Sequence, residues 1–576
     1  MIDTVQYPPC GTTRHGGTIV AWCTMLLAHS TCGDDARTGQ FGTGTLATDT
    51  ASGAEASSAP GSHDDAGERG GERGGERDGS AGGSTEAGGE PSGSGVSTSE
   101  SSAAGEQPVF DVASPGSGGG IGRCGMPVDV EQCVETAPPD SFEPVVQWTA
   151  TGMDSVVLPL VANLTDDNGD GNIDVYDTPD VVIVGSVTNV LHVLDGATGA
   201  EHFSIPSVSG LLTPALGDID EDGLPEIVTG DTTVGLPPTT LAVYEHDGTF
   251  KFRSAQQFGG AFTAIALADL DNDGDVEILA GDTLYDHLGN ALWAGFGYVT
   301  YVIAPTIADL DGDGDQEVIF GNKAYQDDGT LYFDVPSVAP DGVGLFPQIG
   351  NFDGDDHPEV VVGHRGGVTI LEHEGTIKVS AAAPHADGSA GVYPGTIHDF
   401  DGDCVSEFAV SSGNFYTVYE PDLSVLWSAP VRDASGVAGG TAFDFLGDGV
   451  SEAMYGDEIF MFVFNGINGS VFFQTPRSSG TAIEYPTVAD IDNDGSAEIV
   501  VVSNSGPWSV QVIQDQQNRW IQARRIWNQH TYHVTNVNED GTIPQFEEPN
   551  WHSLNTFRTN AQIEGGSVCR PTPPEG

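Results

Sequence analysis

Basic residues are scarce in this chain: 18 lysines and arginines stand against 85 acidic residues in 576 positions, a formal net charge of −67. Only three lysines occur, Lys251, Lys323 and Lys378. A surface so short of positive charge repels phosphate, which excludes nucleic acid and an anionic membrane face as partners. Long apolar runs are also missing, since the longest, Ile19–Ala28, falls well short of the ~20 residues that span a bilayer. Familiar catalytic signatures are absent too. There is no His-Glu-x-x-His, no Gly-x-Ser-x-Gly, no glycine-rich phosphate loop ahead of a helix and no Cys-x-x-Cys. Too many carboxylates compete for any one pair to be singled out as a glycosidase acid and base.

The N-terminal apolar run follows Arg14 and His15, a basic flank that gives residues 1–31 the pattern of an export signal. Cys32, followed by a long polar stretch, resembles the modified cysteine of a bacterial lipoprotein, although His29-Ser30-Thr31 departs from the usual small-residue approach. Ordinary secretion is the alternative, and a lipid at Cys32 would be the chain's one link to a membrane. Residues 32–122 are dominated by Gly, Ser, Ala, Thr, Asp and Glu, and cannot bury enough apolar surface to offset the entropy of ordering. They read as a disordered tether. A lead-in, 123–144, carries Cys124 and Cys133, and Cys404 and Cys569 lie far downstream. Export permits disulfides. Either a local Cys124–Cys133 pair or a pair from one of these to Cys569 is compatible with the sequence.

From about residue 145 to 535 the chain repeats every 40 to 52 residues, and the marker is an acidic loop, Asp-x-Asp-x-Asp-Gly-x-x-Glu. The clear copies are Asp218, Asp220, Asp222 and Glu226; Asp269, Asp271, Asp273 and Glu277; Asp309, Asp311, Asp313 and Glu317; and Asp490, Asp492, Asp494 and Glu498. The variants are Asp166, Asn168, Asp170 and Asp174; Asn351, Asp353, Asp355 and Glu359; Asp399, Asp401, Asp403 and Glu407; and Asp444, Asp448 and Glu452. In the first variant Asp180 is an alternative to Asp174 as the closing carboxylate. Asp356 and Cys404 replace the turn glycine in two others, and Leu446 removes a ligand from the loop at Asp444. A period of this length marks a solenoid, propeller or array. Short β-branched runs after each loop, such as Val360-Val361-Val362, and Asp-Gly or Glu-Gly turns beyond them predict about four antiparallel strands per unit. The expected fold is all-β, a propeller of eight blades, or seven with one divergent unit. Val145–Trp148 resembles the last strand of a unit and is placed to close the ring.

These repeats resemble the FG-GAP or VCBS-type repeats of the integrin α-subunit propeller and of many bacterial extracellular proteins. The resemblance covers about two-thirds of the chain and implies calcium bound in the loops. The residues themselves point the same way. Three or four carboxylates converging on one point suit Ca²⁺, which takes 6–8 oxygen ligands, better than Mg²⁺. Several structural calcium ions are therefore expected. The resemblance implies no single activity, because adhesins, lectins and polysaccharide lyases share the repeat. The functional expectation is a cell-surface module binding a glycan or an extracellular protein. A lyase-like enzyme on the same scaffold and a purely architectural protein are the alternatives.

The remaining segment, 536–576, and the stretch before it differ in composition. Trp520, Arg524, Arg525, Trp527, His530 and His533 concentrate aromatic and cationic groups of the kind that line a sugar site. The competing reading is a plug packed on the propeller, with the arginines neutralising carboxylates. Asn536–Gly541 resembles a ninth loop but has Pro544 where the closing carboxylate belongs, so a turn or a decayed repeat is expected.

Overall fold

The computed structural model describes residues 130–138, 141–232, 239–260, 262–294, 304–339, 346–364, 366–384 and 392–571. The segments expected to be an export signal and a tether, with Cys32 and Cys124, lie outside them. The described chain is an eight-bladed β-propeller of antiparallel blades. The first seven begin at Leu160, Ala215, Thr263, Thr306, Gln348, Val392 and Gly440, and each strand pairs with the next in sequence. Strand Leu212–Thr213 adds a short parallel edge to the third. The eighth blade takes Thr487–Ala489, Glu498–Val502 and Val510–Asp515 from the end of the repeat, and Pro144–Ala150 from its start. Val145–Trp148 thus closes the ring, as its likeness to an outer strand suggests.

The strand types follow from side-chain pattern. First and second strands, such as Ala215–Gly217 and Glu226–Asp231, are buried along their whole length and carry unbroken apolar runs. Fourth strands alternate: Ala291–Ala294 is half-buried at Ala291 and Trp293 and exposed at Leu292 and Ala294. The first strand is the inner one and the fourth faces outwards.

Blades are joined by one repeated contact. An aromatic on the outer strand lies over the turn glycine of the next blade: Trp148 over Gly199, Phe203 over Gly248, Phe252 over Gly289, Trp293 over Gly329, Phe333 over Gly375 and Trp427 over Gly469. These glycines have φ between 66° and 85°. A Cβ at Gly329 would stand 2.9 Å from the Trp293 ring. Glycine is therefore required twice over, for its backbone and for the approach of the ring. The Trp148–Gly199 contact continues the series across the ring closure, where Trp148 Nε1 also donates to Gly196 O at 2.7 Å.

The chain ends are tied together. Cys133 and Cys569, 436 residues apart, form a disulfide, which excludes the local Cys124–Cys133 pair. Cys404 is also disulfide-bonded. The last blade strand ends at Asp515. Beyond it the chain runs along the inner strands, pairing Trp527 with Val161, Thr542 with Asp218 and Phe557 with Ile397, and pairs with itself at Ala523 and Gln562. Leu216 N–H donates to Asn528 O, Leu267 N–H to Gln529 Oε1 and Thr441 Oγ1 to Arg558 O. The C-terminal segment is thus a plug held by most of the blades.

Gly329→Ala should cost about 1–3 kcal/mol of stability, because overpacking and a left-handed backbone both oppose the methyl group. Chemical denaturation checks this, with Gly565→Ala, where nothing lies within 4 Å of the added carbon, as the backbone-only control.

Candidate functional site

Each acidic loop joins the first strand of its blade to the second and is folded by its own carboxylates. In the second blade Asp218 accepts the Asp222 and Gly223 N–H groups at 3.2 and 2.9 Å, and Asp222 accepts that of Leu224 at 3.0 Å. Glu226 opens the second strand and accepts the Ile219 N–H through Oε2 at 2.9 Å. The closing bond recurs from Leu270 to Glu277, Leu310 to Glu317, Phe352 to Glu359, Phe400 to Glu407, Phe445 to Glu452 and Ile491 to Glu498, at 2.7–3.2 Å. One oxygen of each closing glutamate is spent on the backbone; the other meets a lysine at Glu226 and Glu359, accepts from Gln326 Nε2 at 3.0 Å at Glu317, and has no partner at Glu407 and Glu498. Ligand oxygens of Asp399, Asp401, Asp403 and Glu407 lie within 4.8 Å of one another, and so do those of Asp218, Asp220 and Glu226.

The turn needs two left-handed residues, of which the sequence pattern showed only the sixth. The fourth is left-handed in every loop, including Glu221 (φ 61°), Asn272 (58°) and Asn493 (56°). The sixth is left-handed in seven, and Cys404 adopts it at 76°. Asp356 does not. Asn351 explains the exception: its single oxygen accepts the Asp353 and Gly354 N–H groups, and its amide donates to Asp355 O at 2.5 Å. No second carboxylate oxygen remains to catch the N–H of residue 356. Asp356, which stands where the turn glycine belongs, therefore does not take over the glycine's conformation, whereas Cys404 does.

The first loop is built differently. Leu164 N–H donates to Asp180 Oδ2 at 2.9 Å, so Asp180, fully buried at the head of the second strand, holds the place of the closing glutamates. Asp166, Asn168, Asp170 and Asp174 belong to an inserted loop that ends at Asp177. Asp177 accepts the N–H groups of Asp167 and Asn168 at 3.1 Å and that of Asp174 at 2.9 Å. Residues 166–177 read Asp-x-Asn-x-Asp-Gly-x-x-Asp-x-x-Asp, the spacing of a twelve-residue calcium loop with aspartate at its last position. Asp177 was missed, and counting twelve from Asp166 would have found it.

Burial dominates the electrostatics of several of these loops. It pushes Asp399, Asp444 and Asp490 up to about 7 and Glu277 and Glu317 up to about 8, with the neighbouring carboxylates adding to the shift. Glu407 rises to about 10. Several oxygens have no hydrogen-bond partner although they are buried: Asp269 Oδ1, Asp311 Oδ1, Glu407 Oε1, Asp492 Oδ1 and Glu498 Oε1. Unpaired buried carboxylate oxygens are costly, and an oxygen-loving cation among them would remove that cost. The donor set fits Ca²⁺: it is all oxygen, rich in carboxylate and spread over a flexible turn. The loop at Asp444 has only the backbone of Leu446 at its third position, and Leu446 O accepts the Ala137 N–H at 2.7 Å.

The C-terminal residues lie inside the plug. Trp527, Arg524 and His530 are fully buried, Trp520 and His533 nearly so, and Arg525 is half-buried. Arg524 donates to Tyr532 Oη, Val534 O and Val537 O at 2.6–2.9 Å and faces Glu539 at 3.3 Å. Arg525 meets the same Glu539 at 2.6 Å. His533 is paired with Glu547, and Trp527 stacks on Tyr532 with ring centres 4.6 Å apart. The arginines thus neutralise a carboxylate of the plug itself. Asn536–Gly541 ends in a turn, with Gly541 N–H donating to Asn538 O.

No family model matches the chain, and no curated protein matches it. Solved structures do. The V. cholerae biofilm matrix protein Bap1 is similar at 20% identity and a TM-score of 0.61, over 74% of this chain and all of that one. This likeness supports the fold. BamB from Moraxella catarrhalis (12% identity, TM-score 0.40, covering 64% of this chain and 100% of that one) is more distant. So is a rhamnogalacturonan lyase from Bacillus licheniformis (15%, 0.35, covering 77% and 99%). No helix among the described residues is long and apolar enough to cross a membrane.

Carboxylates whose folded pKa lies above the unfolded value bind protons more tightly in the folded state, so their contribution is lost as pH rises. In chelator, the melting temperature should therefore fall between about pH 4.5 and 10, the window between the ordinary carboxylate range and the raised values above. Calcium should remove most of that slope. Thermal melts across this range with and without calcium check both statements.

Proposed function

We propose that this chain is an exported, calcium-stabilised β-propeller that works as a binding or adhesion module for a glycan or an extracellular protein. The observation that carries the reading is the ring of convergent carboxylates with buried, unpartnered oxygens. It supports calcium as a structural ion that fastens acidic loops to their blades. The disulfides support export, since such bonds persist in oxidising compartments. The similar fold of Bap1, described as a biofilm matrix protein, is in keeping with an extracellular binding role. Because the plug lies along the inner strands, the binding surface on this reading is the exposed loops and outer strands, not the segment around Trp527.

The test is retention of the full chain on an array of glycans and polysaccharides, in calcium and then in chelator. Selective retention that chelator abolishes is expected. A folded protein that retains nothing in either condition, or releases unsaturated sugars instead of holding them, overturns the reading.

A further inference from the structure

Every blade carries a β-bulge at the same place. The outer strand skips one residue of its pairing with the third strand at His202, Lys251, Leu292, Tyr332, Lys378, Leu426 and Phe472, and at Gln147 in the strand that closes the ring. A bulge re-aims the side chain it carries. Four of these residues have polar contacts with the acidic loop of their own blade. Lys251 Nζ lies 2.6 Å from Asp220 Oδ2 and 2.8 Å from Glu226 Oε1, with Glu245 at 3.3 Å. Lys378 Nζ repeats the arrangement at 2.6 Å from Asp353, 2.5 Å from Glu359 and 3.4 Å from Glu372. His202 Nε2 stands 3.4 Å from Asp180, and Gln147 Nε2 donates to Asp492 at 2.7 Å.

In these two blades the ammonium sits on the closing glutamate oxygen that is free to meet a cation. The buried oxygens without partners occur elsewhere, in the loops at Asp269, Asp309, Asp399 and Asp490, whose bulges carry Leu292, Tyr332, Leu426 and Gln147. The loop at Asn351 adds an independent sign. It alone has lost both its first carboxylate and its sixth left-handed residue, and it is one of the two loops with a lysine.

We propose that the side chain at the bulge decides, blade by blade, whether the acidic loop takes a divalent cation. Lys251 and Lys378 are tethered substitutes for the ion, so the loops at Asp218 and Asn351 hold none, whereas the loops at Asp269, Asp309, Asp399 and Asp490 each take one. The inference rests on the calcium reading above and adds which blades the ion occupies. It overturns the expectation from the motif alone, by which the loop at Asp218 is among the best sites.

The experiment counts calcium ions bound per full-length chain, by equilibrium dialysis after stripping with chelator, with circular dichroism confirming the fold. Lys251→Leu installs the residue that two sister blades carry and leaves a complete ligand set, so it should gain one ion. Leu292→Lys places an ammonium beside the loop at Asp269 from a position that is 52% exposed, and should lose one. An unchanged count in either folded variant, with the parent chain binding calcium, overturns the selector role alone. A folded parent that binds no calcium overturns the calcium reading and this inference with it. If Lys251→Leu fails to fold even in calcium, Leu292→Lys decides.

Discussion

The structure depends on one constraint: a carboxylate buried at the head of each blade's second strand must find partners for both of its oxygens. One oxygen takes a backbone N–H from the second residue of the loop, or from Leu164 in the first blade, and this bond ties the loop to the second strand. The other has no backbone partner within reach. Leaving it ionised and unpaired would cost several kcal/mol, so each loop must supply a proton, a cation or a polar side chain, as Gln326 does for Glu317. The acidic motif, the raised proton affinity and the bulge on the outer strand are three sides of that requirement. Because the requirement recurs eight times around a closed ring, the response of stability to pH, and on the proposed reading to calcium, is a property of the whole molecule.

Closure is the second constraint, since an open stack of blades would expose two apolar faces. Strand Pro144–Ala150 completes the eighth blade, and Trp148 extends the aromatic-on-glycine series into the first. The Cys133–Cys569 disulfide then binds the lead-in to the plug. A cross-link over 436 residues restricts the unfolded chain strongly, on the order of 5 kcal/mol by loop-entropy arguments. The plug contributes by pairing with inner strands. Asn560, for example, donates to Val488 O and Arg524 O, and Arg558 to Gly395 O and His530 O.

The blades were legible in the sequence because each repeat states its own local rules: a tight acidic turn, a buried β-branched run and a hairpin glycine. The ring closure was legible for the same reason, since Val145–Trp148 matches the outer strands elsewhere. What escaped depends on contacts between distant segments. Asp177 closes the first loop only because an insertion, 166–177, displaces the motif from the strand that Asp180 serves. The left-handed fourth residue is hidden because Glu, Asn and Gly all fill it. Aromatic and cationic residues from Trp520 to His533 have the same composition whether they face a sugar or the inside of a plug. Burial separates the two, and burial is a property of the fold.

The bulge gives the scarcity of lysine a physical meaning. A lysine on an ordinary surface is solvated and interchangeable, whereas Lys251 and Lys378 each take a position where an ammonium meets three carboxylates. Lys323 is likewise committed, to Asp334 at 2.8 Å. Several arginines follow the same rule: Arg477 meets Glu484 in the interior, Arg519 bridges Asp515 and Glu143, and Arg253 holds Asp231. Positive charge in the described residues is therefore used largely one group at a time, as a fixed counter-ion inside the protein. The acidic surplus is left to face solvent, where divalent cations can bridge it to other acidic matter but polyanions alone are repelled. On the proposed binding reading, a partner engaged by this surface is therefore neutral, basic or joined to it through metal, and not a bare polyanion.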